Sequence, residues 1–262
     1  MNIVVAATAP FGADVLERLA GRHEIAALLT RPDRPAGRGR KVAAPPAKLV
    51  GERLGIPVLQ PDRPTGELEL PADTFVVCAY GLLIPEELLE RGLWLNVHPS
   101  LLPHWRGAAP VERALMAGDV ETGVTIHRTV KELDAGPIAA QRAFLLTPED
   151  DAGAVYARAA ELAVELLDEV LPEPVFRPQE GEATYAAKIE PDDRLLDLSR
   201  PVESLNRIRA LSPHIGARSE LHGRPVTVWR ARVGEDGAFE PLEVQPDGGR
   251  RMEYDAWLRG LR

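Results

Sequence analysis

A single cysteine among 262 residues removes several chemistries at once. One thiol excludes an internal disulfide and a thiolate cluster for zinc. Cys78 itself lies in the apolar run Phe75-Val-Val-Cys-Ala79 and reads as a small buried hydrophobe rather than a nucleophile. No stretch reaches the roughly 18 apolar residues that span a bilayer. The opening Met1-Asn-Ile-Val-Val-Ala-Ala7 carries no basic region ahead of its apolar run. It reads as a first strand rather than a signal peptide, and a cytoplasmic location is expected. An excess of positive charge is also missing. The formal net charge of −9 argues against non-specific nucleic-acid binding, although it leaves room for a local basic contact. Phosphate-cradling glycine loops are absent too. The first strand–helix junction, Ala7-Thr-Ala-Pro-Phe-Gly12, lacks the spacing of a dinucleotide site, and no P-loop pattern occurs.

What the chain does have is the composition of a well-cored protein, 45% hydrophobic and 27% charged. Its length suits one large domain or a medium domain plus a small one. Ile3–Ala7, Glu24–Leu29, Phe75–Ala79 and Leu93–Val97 read as strands, followed by Val124–His127 and Pro137–Phe144. Between them Ala13–Ala20, Pro45–Leu54, Pro85–Glu90 and Pro110–Ala117 read as helices, three of them opening on a proline. A longer helix is expected from Asp151 to Leu171. This alternation predicts an α/β fold with a mostly parallel sheet covered on both faces. Pro172, Pro174, Pro178 and Gly181 then form a stiff connector. The expected division is therefore a domain over 1–171, a linker over 172–188 and a small β-rich domain over 189–262. In the last, Pro201–Leu211 reads as a helix and Pro225-Val-Thr-Val-Trp-Arg230 as an exposed strand.

The segment Leu93-Trp-Leu-Asn-Val-His-Pro-Ser-Leu-Leu-Pro-His-Trp-Arg-Gly107 holds the strongest chemical signal. A strand places residues i and i+2 on one face, so Asn96 and His98 project together where an α/β sheet carries its chemistry. Pro99 and Pro103 end the regular ladder. Further on, Leu133-Asp-Ala-Gly136 offers a carboxylate in a turn. An Asn at a strand end commonly caps a turn, a lone His is commonly structural, and a turn Asp is commonly surface. Read as a set, Asn96, His98 and Asp134 suit acyl transfer to an amine. The amide donates to a developing oxyanion, the imidazole exchanges a proton, and the carboxylate orients it. No serine or cysteine stands in a nucleophile-elbow context, which favours direct transfer. His98, His104 and Asp134 match no zinc signature, and no metal is expected. A basic loop, Arg31-Pro-Asp-Arg-Pro-Ala-Gly-Arg-Gly-Arg-Lys41, is either solvated surface or an arm that orders against phosphates.

Asn96-Val-His-Pro-Ser-Leu-Leu-Pro103, Trp105-Arg-Gly-Ala-Ala-Pro110, Thr122-Gly-Val-Thr-Ile126 and Leu133-Asp-Ala-Gly136 resemble the methionyl-tRNA formyltransferase family. So do Arg34-Pro-Ala-Gly-Arg-Gly-Arg-Lys41, Val77-Cys-Ala-Tyr-Gly-Leu-Leu-Ile-Pro85 and Pro225-Val-Thr-Val-Trp229. The resemblance implies a Rossmann-like domain joined to a small domain related to the OB fold. It implies formyl transfer from 10-formyltetrahydrofolate to the α-amine of initiator methionyl-tRNA, by a monomer with no membrane partner. By the same resemblance Asn96, His98 and Asp134 are catalytic, and Ser100, Leu101, Leu102, Pro103, Tyr80 and Gly81 contact the folate. Arg34, Arg38, Arg40 and Lys41 then meet the tRNA acceptor arm. The chain departs from the family at Ala7-Thr-Ala-Pro-Phe11 and at His104. It departs further after Val233, where it passes quickly to Leu242-Glu-Val-Gln-Pro-Asp-Gly-Gly-Arg-Arg251. The second domain is thus expected to be a shortened barrel. Alternatives sharing the trio are a formyltransferase for an amino-sugar nucleotide and a hydrolase of formyl-folate. A tRNA- or folate-binding paralogue without turnover is a further reading.

Overall fold

The structure, a computed structural model, describes residues 1–36 and 41–261. Its contacts divide the chain into two compact units. The first comprises Met1–Arg106, Gly123–Ala143 and Ala157–Ala183, and the second Gly107–Thr122, Phe144–Tyr156 and Thr184–Arg262. The expected division ran once along the chain, whereas these units interleave.

The first unit is built on a seven-stranded sheet. Its strands are β1 (Asn2–Ala7), β2 (Glu24–Leu29), β3 (Val58–Leu59), β4 (Thr74–Cys78), β5 (Leu93–His98), β6 (Glu121–Arg128) and β7 (Ile138–Leu145). They run in the spatial order β7-β6-β5-β4-β1-β2-β3. The pairs from β2–β3 across to β4–β5 are parallel, and β5 meets β6 antiparallel. The two-residue β3 was invisible in sequence, because so short a run carries no periodicity. Val4, Ala6, Leu29, Phe75 and Val77 are buried, as expected for strands covered on both faces. Phe75 and Trp94 stack with ring centroids 4.0 Å apart, and the Trp94 indole N–H donates to the Leu88 carbonyl at 3.0 Å. Cys78 is fully buried in this sheet, and burial pushes its thiol pKa well up, which suppresses thiolate chemistry.

Helices α1 (Pro10–Ala20), α2 (Pro46–Arg53) and α3 (Glu86–Leu89) follow strands of this sheet, and α1 and α2 open on proline within their first turn. Arg34–Ala36 and Lys41–Ala43 pair antiparallel, so the flanks of the basic loop form a small hairpin. The expected contacts Arg38 and Arg40 lie outside the described residues.

The second unit carries an antiparallel sheet of β8 (Ala217–Leu221), β9 (Arg224–Val233), β10 (Phe239–Pro246) and β11 (Met252–Glu253), in that order. His222 and Gly223 both have positive φ (52° and 69°), the conformation a two-residue hairpin turn requires between β8 and β9. Val226, Val228 and Val244 face inward against Ile208 and Leu211 of α6 (Pro201–Leu211) and Trp257 of α7 (Tyr254–Arg259). A tight turn, with Gly234 N–H donating to the Ala238 carbonyl at 2.8 Å, joins β9 to β10 directly. That turn is how the chain passes from Val233 to Leu242 so quickly.

The two helices between α3 and α6 were both legible. α4 is Pro110–Ala117 and α5 is Ala152–Val170, within a residue of the expectation at each end. Among the described residues, no helix is long and apolar enough to cross a membrane.

Candidate active site

Four polar side chains converge at the carboxyl end of β5, all within the first unit. Antiparallel register sets Asn96 opposite His127 and His98 opposite Thr125. The alternation of β5 places Asn96 and His98 on one face, as the sequence indicated, and β6 supplies His127 across from them. Asp134 reaches the same place from the turn after β6. The three ionisable side chains are nearly dry: His98 is 5%, His127 2% and Asp134 9% exposed.

Hydrogen-bond partners determine which atoms face which. The His127 Nδ1–H donates to the Arg128 carbonyl at 3.0 Å, so in the neutral ring Nε2 presents a lone pair. That lone pair accepts from the Asn96 amide nitrogen at 2.9 Å. The second amide hydrogen goes to Asp134 Oδ1 at 3.2 Å. A flipped amide would set its oxygen against both acceptors, so His127 and Asp134 together orient Asn96. His98 is held from its other side, with Nε2–H donating to the Trp105 carbonyl at 2.8 Å. Its Nδ1 then carries the lone pair and lies 3.7 Å from Asp134 Oδ2, beyond hydrogen-bond distance. Burial lowers the His98 pKa from its ordinary value, and Asp134 and the Trp105 carbonyl oppose that shift. The ring is thus neutral near pH 7, with one nitrogen left to exchange a proton.

The backbone around the cluster is bent to bring these groups together. Asp134 (φ 49°) and Trp105 (φ 62°) are both left-handed, a conformation costing about 1 kcal/mol for a residue with a Cβ. Gly136 has a different reason. A Cβ there would lie 1.8 Å from the Arg128 carbonyl, the same carbonyl that accepts from His127. Only glycine lets the Asp134 turn close onto the end of β6.

The residues expected at the folate are placed unequally. Ser100 is fully buried, and its hydroxyl donates to the His104 carbonyl at 2.6 Å. Leu102 and Pro103 are also buried, and Thr125 and Gln141 hold the loop through the Leu102 N–H and carbonyl. Leu101 is only partly buried. Tyr80 is 2% exposed, and its hydroxyl has no hydrogen-bond partner among the described residues. Gly81 follows with φ 75° and lies beside the Arg31 side chain. Arg34 and Lys41 are exposed on the hairpin. His127 escaped the sequence reading. Its signal was its position in Thr125-Ile-His127, in phase with Thr125, but the antiparallel register that aligns it with Asn96 cannot be read from the sequence alone.

Comparison with known proteins gives the family. The model of the formyl transferase family matches residues 1–171. A methionyl-tRNA formyltransferase of Methylococcus capsulatus is 39% identical, covering 98% of this chain and 96% of that protein. That alignment runs over 296 positions against 262 residues here, so the relative carries insertions that this chain lacks. Among solved structures, a methionyl-tRNA formyltransferase from Clostridium thermocellum shares the fold with a TM-score of 0.65 at 19% identity, over 97% of this chain and 99% of that one. HypX from Aquifex aeolicus in complex with tetrahydrofolic acid gives a TM-score of 0.64 at 18% identity, over 98% of this chain and 46% of that one. The chain belongs to the formyl transferase family, among its methionyl-tRNA formyltransferases.

Proposed function

We propose that the chain transfers a formyl group from 10-formyltetrahydrofolate to the α-amino group of initiator methionyl-tRNA. The observation that carries this reading is the convergence of Asn96, His98 and Asp134 on one dry site, in a chain whose relatives bear that activity in their name. The donor set fits a formyl carbonyl: an amide N–H for its oxygen, a neutral imidazole with an open nitrogen, and a carboxylate. The orphaned Tyr80 hydroxyl lies in the segment that the resemblance assigns to the folate. When bound, the folate supplies the formyl carbon, and its N10 leaves carrying a proton.

Asn96 has both amide hydrogens engaged, and the bond to Asp134 is the longer. Releasing that bond aims one N–H at the formyl oxygen while His127 keeps the amide in place. The donor thereby meets charge that develops only as the new C–N bond forms. His98 Nδ1 accepts the proton that the attacking amine must lose and returns it to the departing N10 as the C–N10 bond breaks, and the Asp134 carboxylate beside it stabilises the imidazolium in between. Arg34 and Lys41, exposed on the hairpin, provide sequence-independent phosphate contacts for the tRNA.

The test is formyl transfer to methionyl initiator tRNA, with Asp134→Asn alongside. The variant should lose about 10²–10⁴-fold in turnover. Full turnover in that variant would remove the carboxylate from the mechanism. Formylation of an amino-sugar nucleotide, with charged tRNA ignored, would overturn the acceptor.

A further inference from the structure

We propose that Gln179 is a positioning residue for this reaction, holding the Asp134 turn in place through two backbone carbonyls, with Arg106 fixing the orientation of its amide. The inference rests on the reading of Asp134 as catalytic. Gln179 lies beyond the residues that the family model matches, in a proline-rich stretch that reads in sequence as a connector.

Its Nε2 donates to the Asp134 carbonyl at 2.8 Å and to the Gly136 carbonyl at 2.9 Å, using both amide hydrogens. Its Oε1 accepts from Arg106 twice, Nε at 3.1 Å and Nη2 at 2.6 Å. A flipped amide would face oxygen to two carbonyls and NH2 to a guanidinium. Arg106 therefore leaves Gln179 one workable orientation, the one that grips the turn.

The segment bearing Gln179 is itself anchored beside that turn. Arg177 and Ile138 exchange backbone hydrogen bonds at 2.7 and 2.9 Å, and the Arg128 guanidinium lies over the Phe176 ring at 5.9 Å from its centroid. Within the turn, the Ala135 N–H to Glu132 carbonyl bond is long, at 3.3 Å. Gln179 thus grips the turn on both sides of Ala135, at the left-handed Asp134 and at Gly136. Rotation of this turn would carry the carboxylate away from Asn96 and His98 together.

The experiment compares Gln179→Leu and Gln179→Glu with Asp134→Asn in the full chain, measuring kcat, KM for methionyl-tRNA, the pH profile and thermal unfolding. Gln179→Glu keeps the volume and the Arg106 contact but lacks the N–H donors, so it serves if the leucine variant fails to fold. A displacement on the order of 1 Å at the reacting groups predicts a kcat loss of about 10–100-fold, with KM within about twofold. Because Asp134 raises the proton affinity of His98, its withdrawal should also move the acid limb of kcat to lower pH. Normal kcat in both variants, full activity in Gln179→Glu, or a loss with an unmoved acid limb would overturn the proposal. A fully active Asp134→Asn would instead remove the reading beneath it.

Discussion

Each unit of the molecule contains a partly buried polar cluster, and the two are built to opposite specifications. In the second unit Arg113 donates to both Asp193 oxygens at 2.9 and 2.7 Å and to the Ala187 and Lys188 carbonyls at 3.0 Å. Beside it the Tyr156 hydroxyl donates to Glu112 at 2.9 Å. Donors there meet acceptors at ordinary lengths. In the first unit the contacts among Asn96, His98, His127 and Asp134 stretch from 2.9 to 3.7 Å, around a left-handed Asp134. A cluster whose bonds are all at ordinary length is spent on shape, whereas one with longer contacts can exchange a weak partner for a substrate. The difference separates a staple from a candidate site when both are polar and partly buried.

Mutations in the two clusters should therefore act on different quantities. After Asp134→Asn, the largest effect is expected from Asn96→Ala, which removes the side-chain amide of the first cluster and should lower turnover by about 10²–10³-fold. A near-normal rate would show that the amide is structural there as well. His127→Leu should follow, since it keeps the bulk but removes the acceptor that orients Asn96. A kcat loss of about 10-fold with unchanged KM is expected, and a pure stability effect would move His127 into the other class.

Arg113→Ala should do the reverse, leaving kcat intact while urea unfolding shows a loss of about 1.5–3 kcal/mol. Its pH dependence has a definite sign. Hydrogen bonding from Arg113 holds the Asp193 pKa below its ordinary 3.8, so the pair's contribution is present above that value and fades as pH falls below it. The gap between wild type and variant should close in that range, and a constant gap would mean packing rather than charge. Smallest of all, replacing Arg34 and Lys41 together should flatten the salt dependence of tRNA affinity by about 0.7–0.9 log units per lost phosphate contact. An unchanged slope would leave the hairpin as surface.

The sequence carried the outline of the first unit because buried parallel strands and their helices leave strong local periodicity. Asn96 and His98 were legible for the same reason: two residues on one strand share a face whatever lies around them. His127 and Gln179 were not, because each acquires its role from a pairing distant in the chain, Asn96 with His127 and Ile138 with Arg177. The proline content around Gln179 pointed to a tether, and local composition cannot report that such a segment pairs with a strand. The interleaving of the units was hidden likewise. Nothing in Pro110–Ala117 itself reveals that α4 groups with α6, with which Val111 and Leu115 share an apolar cluster containing Ala210.

The left-handed backbone at Asp134 also limits how this position can be probed. Aspartate and asparagine tolerate that conformation better than other residues with a Cβ. Asp134→Asn therefore changes the charge with little disturbance of the main chain. Alanine, glutamate or valine there would strain the turn as well, so a scan that ranked the position by its average loss would mix chemistry with conformation and overstate the role of the carboxylate.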